Sequence, residues 1–300
     1  MSPQPAWHVP VLPREAVALL DPKPAEVWVD ATTGAGGHAR LIAERVLPGG
    51  RVIGLDQDPS MLDVARASLA GLPVTLVHAN FDQLTPVLRS VGAKEIDGLI
   101  ADLGFASNQM DAADRGLSFQ RDGPLDMRLD STSGETAADL VARLSEYDLA
   151  KVFYEFGEER HSRRVARKIV ETRKQTPIRT TAQLADLVRS CVPRERGRSF
   201  EPATRVFQAL RIAVNDELGS LERLLAQLPR IVKPGGRVGI ISFHSLEDRR
   251  VKQVFQDRAV WEPVTKKPVQ AGDDEVRDNP RSRSAKLRVA RRLPCPAPTP

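Results

Sequence analysis

The chain of 300 residues contains only two cysteines, Cys191 and Cys295. Two cysteines are too few for a disulfide framework and are typical of a protein kept in a reducing compartment. No apolar run approaches the roughly 20 residues that a membrane-spanning helix needs. The first residues lack a basic region followed by an apolar core, so the sequence predicts no secretory signal. We therefore expect a cytoplasmic protein that does not associate with a membrane.

Apolar strands and helical segments alternate along the first hundred residues. The predicted strands cover residues 27–31, 52–55, 74–78 and 99–102. This alternation predicts an α/β fold with a parallel sheet flanked by helices. Strands then stop until 238–242 and 286–290, and a long helix from Pro202 through Leu225 is predicted before they return. We predict an α/β domain in two parts, 1–105 and 206–300, interrupted by a helical insertion over 106–205.

A nucleotide-binding half-site is predicted where the first strand ends. Asp30 closes that strand, and a glycine-rich turn containing Gly34, Gly36 and Gly37 leads into a helix. Glycines at a helix N-terminus let a ligand approach the backbone, because no Cβ blocks it. Asp56 closes the second strand, where a carboxylate can accept both hydroxyls of an adenosine ribose.

Two cofactors compete for this half-site. The spacing of Gly34, Gly36 and Ala39 satisfies the dinucleotide fingerprint, so an NAD-dependent oxidoreductase is one alternative. Asp30, Asp56 and Asp102 close three predicted strands, and together they form an acidic cleft suited to the sulfonium and ammonium of S-adenosylmethionine. A dinucleotide carries two phosphate charges that such a cleft would repel. Each aspartate alone could merely cap the next helix, but the three together favour the methyl donor.

Positive charge is concentrated in two stretches, although the formal net charge is only +5. Residues 160–205 contain 13 lysines and arginines against 4 acidic residues, and residues 277–292 contain 7 against 1. Either run alone could be an ordinary solvated surface. Two such runs beside a nucleotide-binding core favour a polyanionic partner, most simply a nucleic acid.

Several longer motifs occur in a fixed order along almost the whole chain. They are His8-Val9-Pro10-Val11-Leu12, Gly36-Gly37-His38, 97–104 (DGLIADLG), 115–119 (RGLSF), 122–128 (DGPLDMR), 157–160 (GEER), 203–209 (ATRVFQA), 241–249 (ISFHSLEDR) and 279–284 (NPRSRS). In this order they resemble the RsmH (MraW) family of bacterial 16S ribosomal RNA cytosine-N4-methyltransferases.

The resemblance implies a Rossmann-like class I S-adenosylmethionine-dependent methyltransferase sheet with an inserted all-helical domain that recognises the substrate. It implies methylation of the exocyclic N4 of a decoding-centre cytidine in 16S rRNA of the small ribosomal subunit. Asp30 and Gly34 are cofactor-site candidates from the strand and turn pattern. The cofactor contacts that the resemblance implies are Gly36, Gly37, His38, Asp56, Phe81, Asp102 and Gln109.

Methylation of a cytosine amine sets requirements for the site. The lone pair of that nitrogen is conjugated into the ring, so acceptors must hold its N–H bonds while it attacks. Asp102 is the first acceptor candidate and Asn108 the second. His244 could orient the base or take its proton, and a helix-capping or core role is an equal alternative. Neither cysteine follows a predicted strand, which argues against the covalent route of carbon methylation, and no ligand cluster requires a metal.

Contacts with RNA phosphates are predicted mainly on a basic helix of the insertion. The candidates are Arg128, Arg160, Arg164, Arg167 and Lys168, although any one of them could be simply solvated. Binding that depends on them should weaken steeply with salt. A non-catalytic RNA-binding assembly factor is a further alternative, and the sequence leaves a homodimer open.

Overall fold

The computed structural model describes residues 10–105, 109–110, 112–192 and 201–294. The chain divides into two compact units. The first consists of Met1–Gly104 and Leu218–Pro300, and the second of Phe105–Glu217. None of the helices in the described ranges combines the length and apolar character needed to cross a bilayer.

A seven-stranded sheet forms the centre of the first unit, in the order β3-β2-β1-β4-β5-β7-β6. Strands β1 to β5 run parallel to their neighbours, and β7 runs antiparallel to both β5 and β6. The strands are β1 (Val27–Asp30), β2 (Arg51–Asp56), β3 (Val74–His78), β4 (Ile96–Asp102), β5 (Val232–Ser242), β6 (Trp261–Pro263) and β7 (Lys286–Arg292).

Helices cover both faces of this sheet, so its central strands are apolar on both sides. In β1, for example, Trp28 belongs to one buried cluster and Val29 to the other. The helices of the unit are α1 (Pro13–Leu20), α2 (Gly37–Val46), α3 (Pro59–Ser68), α4 (Leu84–Ser90), α10 (Glu217–Ile231), α11 (Ser245–Phe255) and α12 (Asp273–Asp278).

The described part of the second unit is helical and has its own buried core. Its helices are α5 (Ala137–Arg143), α6 (Glu146–Glu155), α7 (Ser162–Arg173), α8 (Thr181–Cys191) and α9 (Ala203–Asn215). Phe153, Val165, Leu184 and Leu210 are fully buried in a cluster to which all five of these helices contribute. The predicted α/β fold class is confirmed: a Rossmann-like, mostly parallel sheet with an inserted helical domain.

The structure differs from the sequence-based expectations at several element boundaries. The helix predicted from Pro202 through Leu225 is two helices, α9 and α10, because Asp216 adopts a left-handed conformation (φ 46°) between them. The second unit therefore ends at Glu217, whereas the sequence pattern placed the end of the insertion at residue 205.

Two further differences concern strands. Strand β5 begins at Val232, six residues before the predicted start, and its register with β4 shifts between Ile96 and Gly98. The early part of β5 contains Gly235 in a left-handed conformation (φ 86°), which is why an unbroken strand was not expected there. The three-residue strand β6 was not predicted, because so short a segment has no measurable alternation.

Candidate active site

The predicted acidic residues lie along one edge of the sheet in the first unit. Asp30, Asp56 and Asp102 are the last residues of β1, β2 and β4. These strands are parallel, so their carboxyl ends meet at the same edge, where open α/β sheets bind their ligands. Asp102 pairs in register with Ile241 of β5, which places Ser242 and His244 just beyond the same edge.

The glycine-rich turn is held against this edge by Asp56. Gly34 adopts φ 52° and donates its N–H to Asp56 Oδ2 at 2.7 Å. Gly36 adopts φ 94°, and a Cβ added there would lie 2.7 Å from Ser68 Oγ. A Cβ on Gly37 would lie 2.9 Å from Pro10 Cδ. The turn therefore needs glycine both for its dihedral angles and for its close packing.

Asp30 and Asp102 each carry a buried carboxylate oxygen without a partner. Among the described residues, no group forms a hydrogen bond with Asp30 Oδ2 or Asp102 Oδ1. Burial raises the pKa of Asp30 to about 7, although a hydrogen bond from the Thr32 N–H opposes the shift. Burial, followed by the charges of Asp30 and Glu247, raises the pKa of Asp102 well above its ordinary value. Unpartnered buried acceptors of this kind indicate a site for a ligand with donors or positive charge.

Both carboxylate oxygens of Asp56 accept hydrogen bonds from the backbone. Its Oδ1 accepts the Asp58 N–H at 2.9 Å, and its Oδ2 accepts the Gly34 N–H. Burial nevertheless raises the pKa of Asp56 to about 6, because these two hydrogen bonds offset only part of the desolvation. Two fixed backbone donors orient the carboxylate, as a residue that receives ribose hydroxyls would require.

His38 links the start of the chain to the acidic edge. It lies in the first turn of α2 and is buried, and its Nε2 donates to the Val11 carbonyl at 2.9 Å. This hydrogen bond fixes the orientation of the ring. The other ring nitrogen, Nδ1, faces Asp102 and lies 3.9 Å from its Oδ2. His38 therefore lies between the glycine turn and the carboxylate of β4.

His244 occupies the N-cap position of α11 and contacts Glu247. The Glu247 Oε2 accepts the Phe243 N–H at 2.8 Å, and His244 Nε2 lies 3.2 Å from Glu247 Oε1. The side chain of His244 is 12% exposed. The structure thus places His244 at a helix end, as the capping alternative expected. Its position beside the end of β5 also keeps the role toward a base open.

The remaining predicted cofactor and catalytic residues have different surroundings. Phe81 begins a 3-10 helix after β3, is half-buried and packs against the core of the first unit. Gln109 is buried and belongs to the second unit. Asn108 lies outside the described residues. Their roles stay predictions.

The predicted phosphate contacts belong to the second unit. Arg160, Arg164, Arg167 and Lys168 are exposed on or just before α7. Arg128 lies in a loop, where its guanidinium forms a two-point ion pair with Asp126 at 2.8 Å. That pair already neutralises much of the charge of Arg128, so the four residues around α7 are the stronger candidates.

Two contributors to the site were not predicted from the sequence. Thr32 Oγ1 accepts the Asp102 N–H at 2.6 Å and so connects the turn after β1 to the end of β4. The Val11 carbonyl fixes the ring of His38. Periodicity could reveal neither, because the contacts join segments 70 and 27 residues apart. The position of Thr32 beside Asp30 was the only available signal.

The fold and the acidic sheet edge define an α/β enzyme that binds a positively charged nucleotide cofactor, as a methyltransferase does. Comparison with known proteins gives the family. Residues 5–293 match the model of the MraW methylase family, and the chain belongs to that family.

Curated relatives extend over almost the same length. The chain is 53% identical over 293 residues to ribosomal RNA small subunit methyltransferase H of Sorangium cellulosum, covering 97% of this chain and 92% of that protein. It is 49% identical over 296 residues to the protein of the same name from Deinococcus radiodurans, covering 98% and 93%. An rRNA methylase structure from Streptococcus thermophilus is 13% identical with a TM-score of 0.42, covering 94% and 95%. This last likeness is too low to support an argument about function.

Membership of a methylase family decides between the two cofactors: the cofactor is S-adenosylmethionine, and the oxidoreductase alternative is rejected. The residues present fit this group. The unpartnered Oδ2 of Asp30 suits its cationic amino-acid end, Asp56 suits the ribose, and Gly34, where an added Cβ would meet no atom nearer than 4.0 Å, leaves the turn open to it.

Proposed function

We propose that this protein transfers a methyl group from S-adenosylmethionine to the exocyclic N4 of a decoding-centre cytidine in 16S rRNA of the small ribosomal subunit. The observation that carries the proposal is the acidic edge of the sheet, with two buried carboxylate oxygens that lack partners. The names of the curated relatives support ribosomal RNA as the substrate. The resemblance of the sequence motifs to cytosine-N4-methyltransferases supports an amine as the acceptor.

Asp102 is the residue that we assign to the cytosine amine. Its backbone is fixed by the hydrogen bond to Thr32, and its Oδ1 has an unused acceptor site. An oxygen held there can accept an N–H bond of the amine, which helps the nitrogen to become pyramidal as it attacks. S-adenosylmethionine, when bound, supplies the activated methyl group. Positioning and electrostatics therefore provide most of the catalysis.

His38 and His244 have supporting roles in this proposal. The Nε2–H of His38 is held by Val11, which fixes the ring with its Nδ1 3.9 Å from Asp102 Oδ2, so His38 bounds the space beside that carboxyl group. His244 lies beyond the neighbouring strand and can orient the base. The single cysteine within the described residues, Cys191, is buried in α8, and burial raises the pKa of its thiol. Cys191 is therefore not suited to act as a nucleophile in this mechanism.

The second unit provides the proposed RNA contacts. Arg160, Arg164, Arg167 and Lys168 are exposed and close in sequence, so they can neutralise consecutive phosphates. Chemistry on a base also requires that the base be unstacked and turned into the pocket. Since ribosomal RNA is cytoplasmic in bacteria, we propose that the protein acts there.

Nucleoside mass spectrometry tests the proposal. Small-subunit particles that lack the modification are incubated with the protein and methyl-labelled S-adenosylmethionine, and the RNA is digested and separated. We expect labelled N4-methylcytidine at one site. Label in 5-methylcytidine, in another nucleoside or in none would contradict the assignment.

A matched pair of variants connects the reaction to the site. Asp102→Asn keeps the size of the side chain but removes the acceptor or its charge, so we expect a loss of turnover of at least tenfold. Asp63→Asn makes the same chemical change on the exposed face of α3, where the side chain is 77% exposed. It should leave turnover unchanged. Equal rates in the two variants would remove Asp102 from the mechanism.

A further inference from the structure

The second unit exposes two aromatic rings on one helix. The chain contains only two tyrosines, and both lie on α6. Tyr147 is 77% exposed and Tyr154 is 66% exposed. Within the described ranges they are the most exposed of the large hydrophobic side chains and the only aromatic ones among them. An exposed ring combines a large apolar face with a polar tip and is suited to contact with a partner.

The two rings lie on the same side of the helix. They are seven residues apart, which is close to two helical turns and about 10.5 Å along the axis. Lys151, also exposed, lies between them on this side. The buried residues of α6, Leu149 and Phe153, lie on the opposite side. We call Tyr147, Lys151 and Tyr154 the tyrosine stripe.

The tyrosine stripe borders the basic helix α7. Arg167 of α7 contacts Glu146 of α6 at 3.5 Å, so the side of α6 that carries Glu146 faces α7. At about 100° per residue, both tyrosines lie about 80–100° around the helix from Glu146. The acidic residues Asp148 and Glu155 lie about 160–180° from it, on the far flank.

Charge on the α7 side is predominantly positive. Arg163, Arg164, Arg167 and Lys168 are all exposed there. Two exposed acids lie on this side: Glu146 of α6, which is paired with Arg167, and Glu171 near the end of α7, so cations still outnumber acids by four to two. The surface therefore offers aromatic faces on one helix and cations on the next. This is the combination with which proteins bind single-stranded nucleic acids, stacking bases on rings while cations follow the phosphates.

We propose that the tyrosine stripe stacks two bases of a single-stranded RNA segment while the cations of α7 hold its phosphates. The inference rests on the proposed function, since it assumes an RNA substrate. The rings are about 10.5 Å apart, whereas stacked bases repeat at about 3.4 Å. Two bases held on these rings are consequently not stacked directly on each other. Such a segment suits an enzyme that must take its target base out of the stack.

Paired oligonucleotides separate stacking from charge. The full-length protein is titrated by fluorescence anisotropy with a single-stranded RNA of about 12 nucleotides, and with an abasic strand of equal length and phosphate number. We expect tighter binding of the base-bearing strand. Tyr147→Ala and Tyr154→Ala should each weaken binding of that strand about fivefold or more and leave the abasic strand unaffected.

Conservative variants supply the controls. Tyr147→Phe and Tyr154→Phe keep the ring and should bind as the wild type does. Arg164→Ala combined with Lys168→Ala should weaken both strands alike and lower the salt dependence, because two phosphate contacts are lost. Circular dichroism checks that each variant is folded.

Several results would overturn the inference. One is binding of both strands by the alanine variants as tightly as by the wild type. Another is a sedimentation coefficient that falls in the alanine variants, because the stripe would then join two copies of the chain. Failure of the wild type to methylate ribosomal RNA would refute the proposed function. The comparison of base-bearing and abasic strands would still show whether bases stack on the two tyrosines. Methylation by the alanine variants with unchanged kcat/KM would refute a role of the stripe in substrate binding.

Discussion

Replacing Asp30 with asparagine tests whether the acidic edge of the sheet is built for a cation at the expense of stability. Asp30 is 1% exposed, and its Oδ2 has no hydrogen-bond partner among the described residues. Burial raises its pKa from 3.8 to about 7. The ionised form is therefore disfavoured in the folded protein relative to the unfolded chain.

The pKa shift converts into a pH-dependent free energy of unfolding. One pKa unit corresponds to about 1.36 kcal/mol, so ionisation of Asp30 costs on the order of 4 kcal/mol once the pH exceeds its folded pKa. Between pH 3.8 and 7 the folded state retains a proton that the unfolded state has released. The free energy of unfolding accordingly falls as pH rises through this window, and Asp30 contributes about 3 kcal/mol of that fall between pH 5 and pH 8.

Asp30→Asn removes this dependence while keeping the Oδ1 acceptor for the Thr32 N–H. An amide hydrogen left without an acceptor at the Oδ2 position costs about 1–3 kcal/mol at every pH. We therefore expect the stability of the variant relative to the wild type to increase by about 3 kcal/mol from pH 5 to pH 8. Affinity for S-adenosylmethionine should fall at both pH values.

Urea denaturation of the cofactor-free proteins at pH 5 and pH 8 measures the difference. Asp63→Asn, on the exposed face of α3, is the matched control and should show almost no change between the two pH values. A stability difference between Asp30→Asn and the wild type that does not depend on pH would refute the reasoning. It would mean that Asp30 is not a desolvated carboxylate in the folded protein.

Three more predictions concern the turn, the first helix and pH. Gly36→Ala should destabilise the protein by about 1–3 kcal/mol in thermal denaturation, because Gly36 has φ 94° and the added Cβ would meet Ser68 and Leu69. Gly71 has a similar φ of 82° but open space around it, so Gly71→Ala should cost less. Equal losses in the two variants would contradict the steric argument. Glu275 accepts the Leu12 N–H at 2.7 Å, and Glu275→Ala removes this acceptor, so it should lower the free energy of unfolding in urea by about 1–3 kcal/mol. Glu275→Gln retains an oxygen and should lower that free energy by less. The opposite order would exclude this hydrogen bond as the cause. Calorimetric affinity for S-adenosylmethionine should rise as pH increases through about 6 and 7, where Asp56 and Asp30 ionise; a flat profile would show that neither carboxylate contacts a donor or a cation.

Local patterns explain why much of this site could be predicted from the sequence. Each aspartate follows its own apolar strand, and parallel strands bring their ends to one edge, so Asp30, Asp56 and Asp102 could be placed together without coordinates.

Contacts between distant segments could not be predicted in this way. Glu275 accepts a hydrogen bond from a residue 263 positions earlier, and Val11 orients His38 across 27 positions. The break at Asp216 also escaped prediction, because an aspartate within an amphipathic pattern does not by itself indicate a left-handed residue. Its neighbour Asn215 binds the Met127 carbonyl and the Leu129 N–H, which are far away in the sequence. Tertiary contacts determine the backbone conformation at such positions, and helical periodicity contains no information about these contacts.

The first unit has acidic groups where it is expected to bind the cofactor, and the second has basic groups where it is expected to bind RNA. There is a physical reason for each unit to carry groups of one sign at these positions. A cationic cofactor requires carboxylates that are not already neutralised by cations. An anionic RNA requires exposed cations that are not already neutralised by carboxylates. Placed side by side, such groups pair with each other, as Asp126 and Arg128 do in the second unit, and both lose their attraction for a ligand. In the first unit Asp30 and Asp102 each have a buried carboxylate oxygen without a partner among the described residues, and in the second unit Arg164 and Lys168 are exposed on a helix. Each unit therefore keeps the charge that its expected ligand requires.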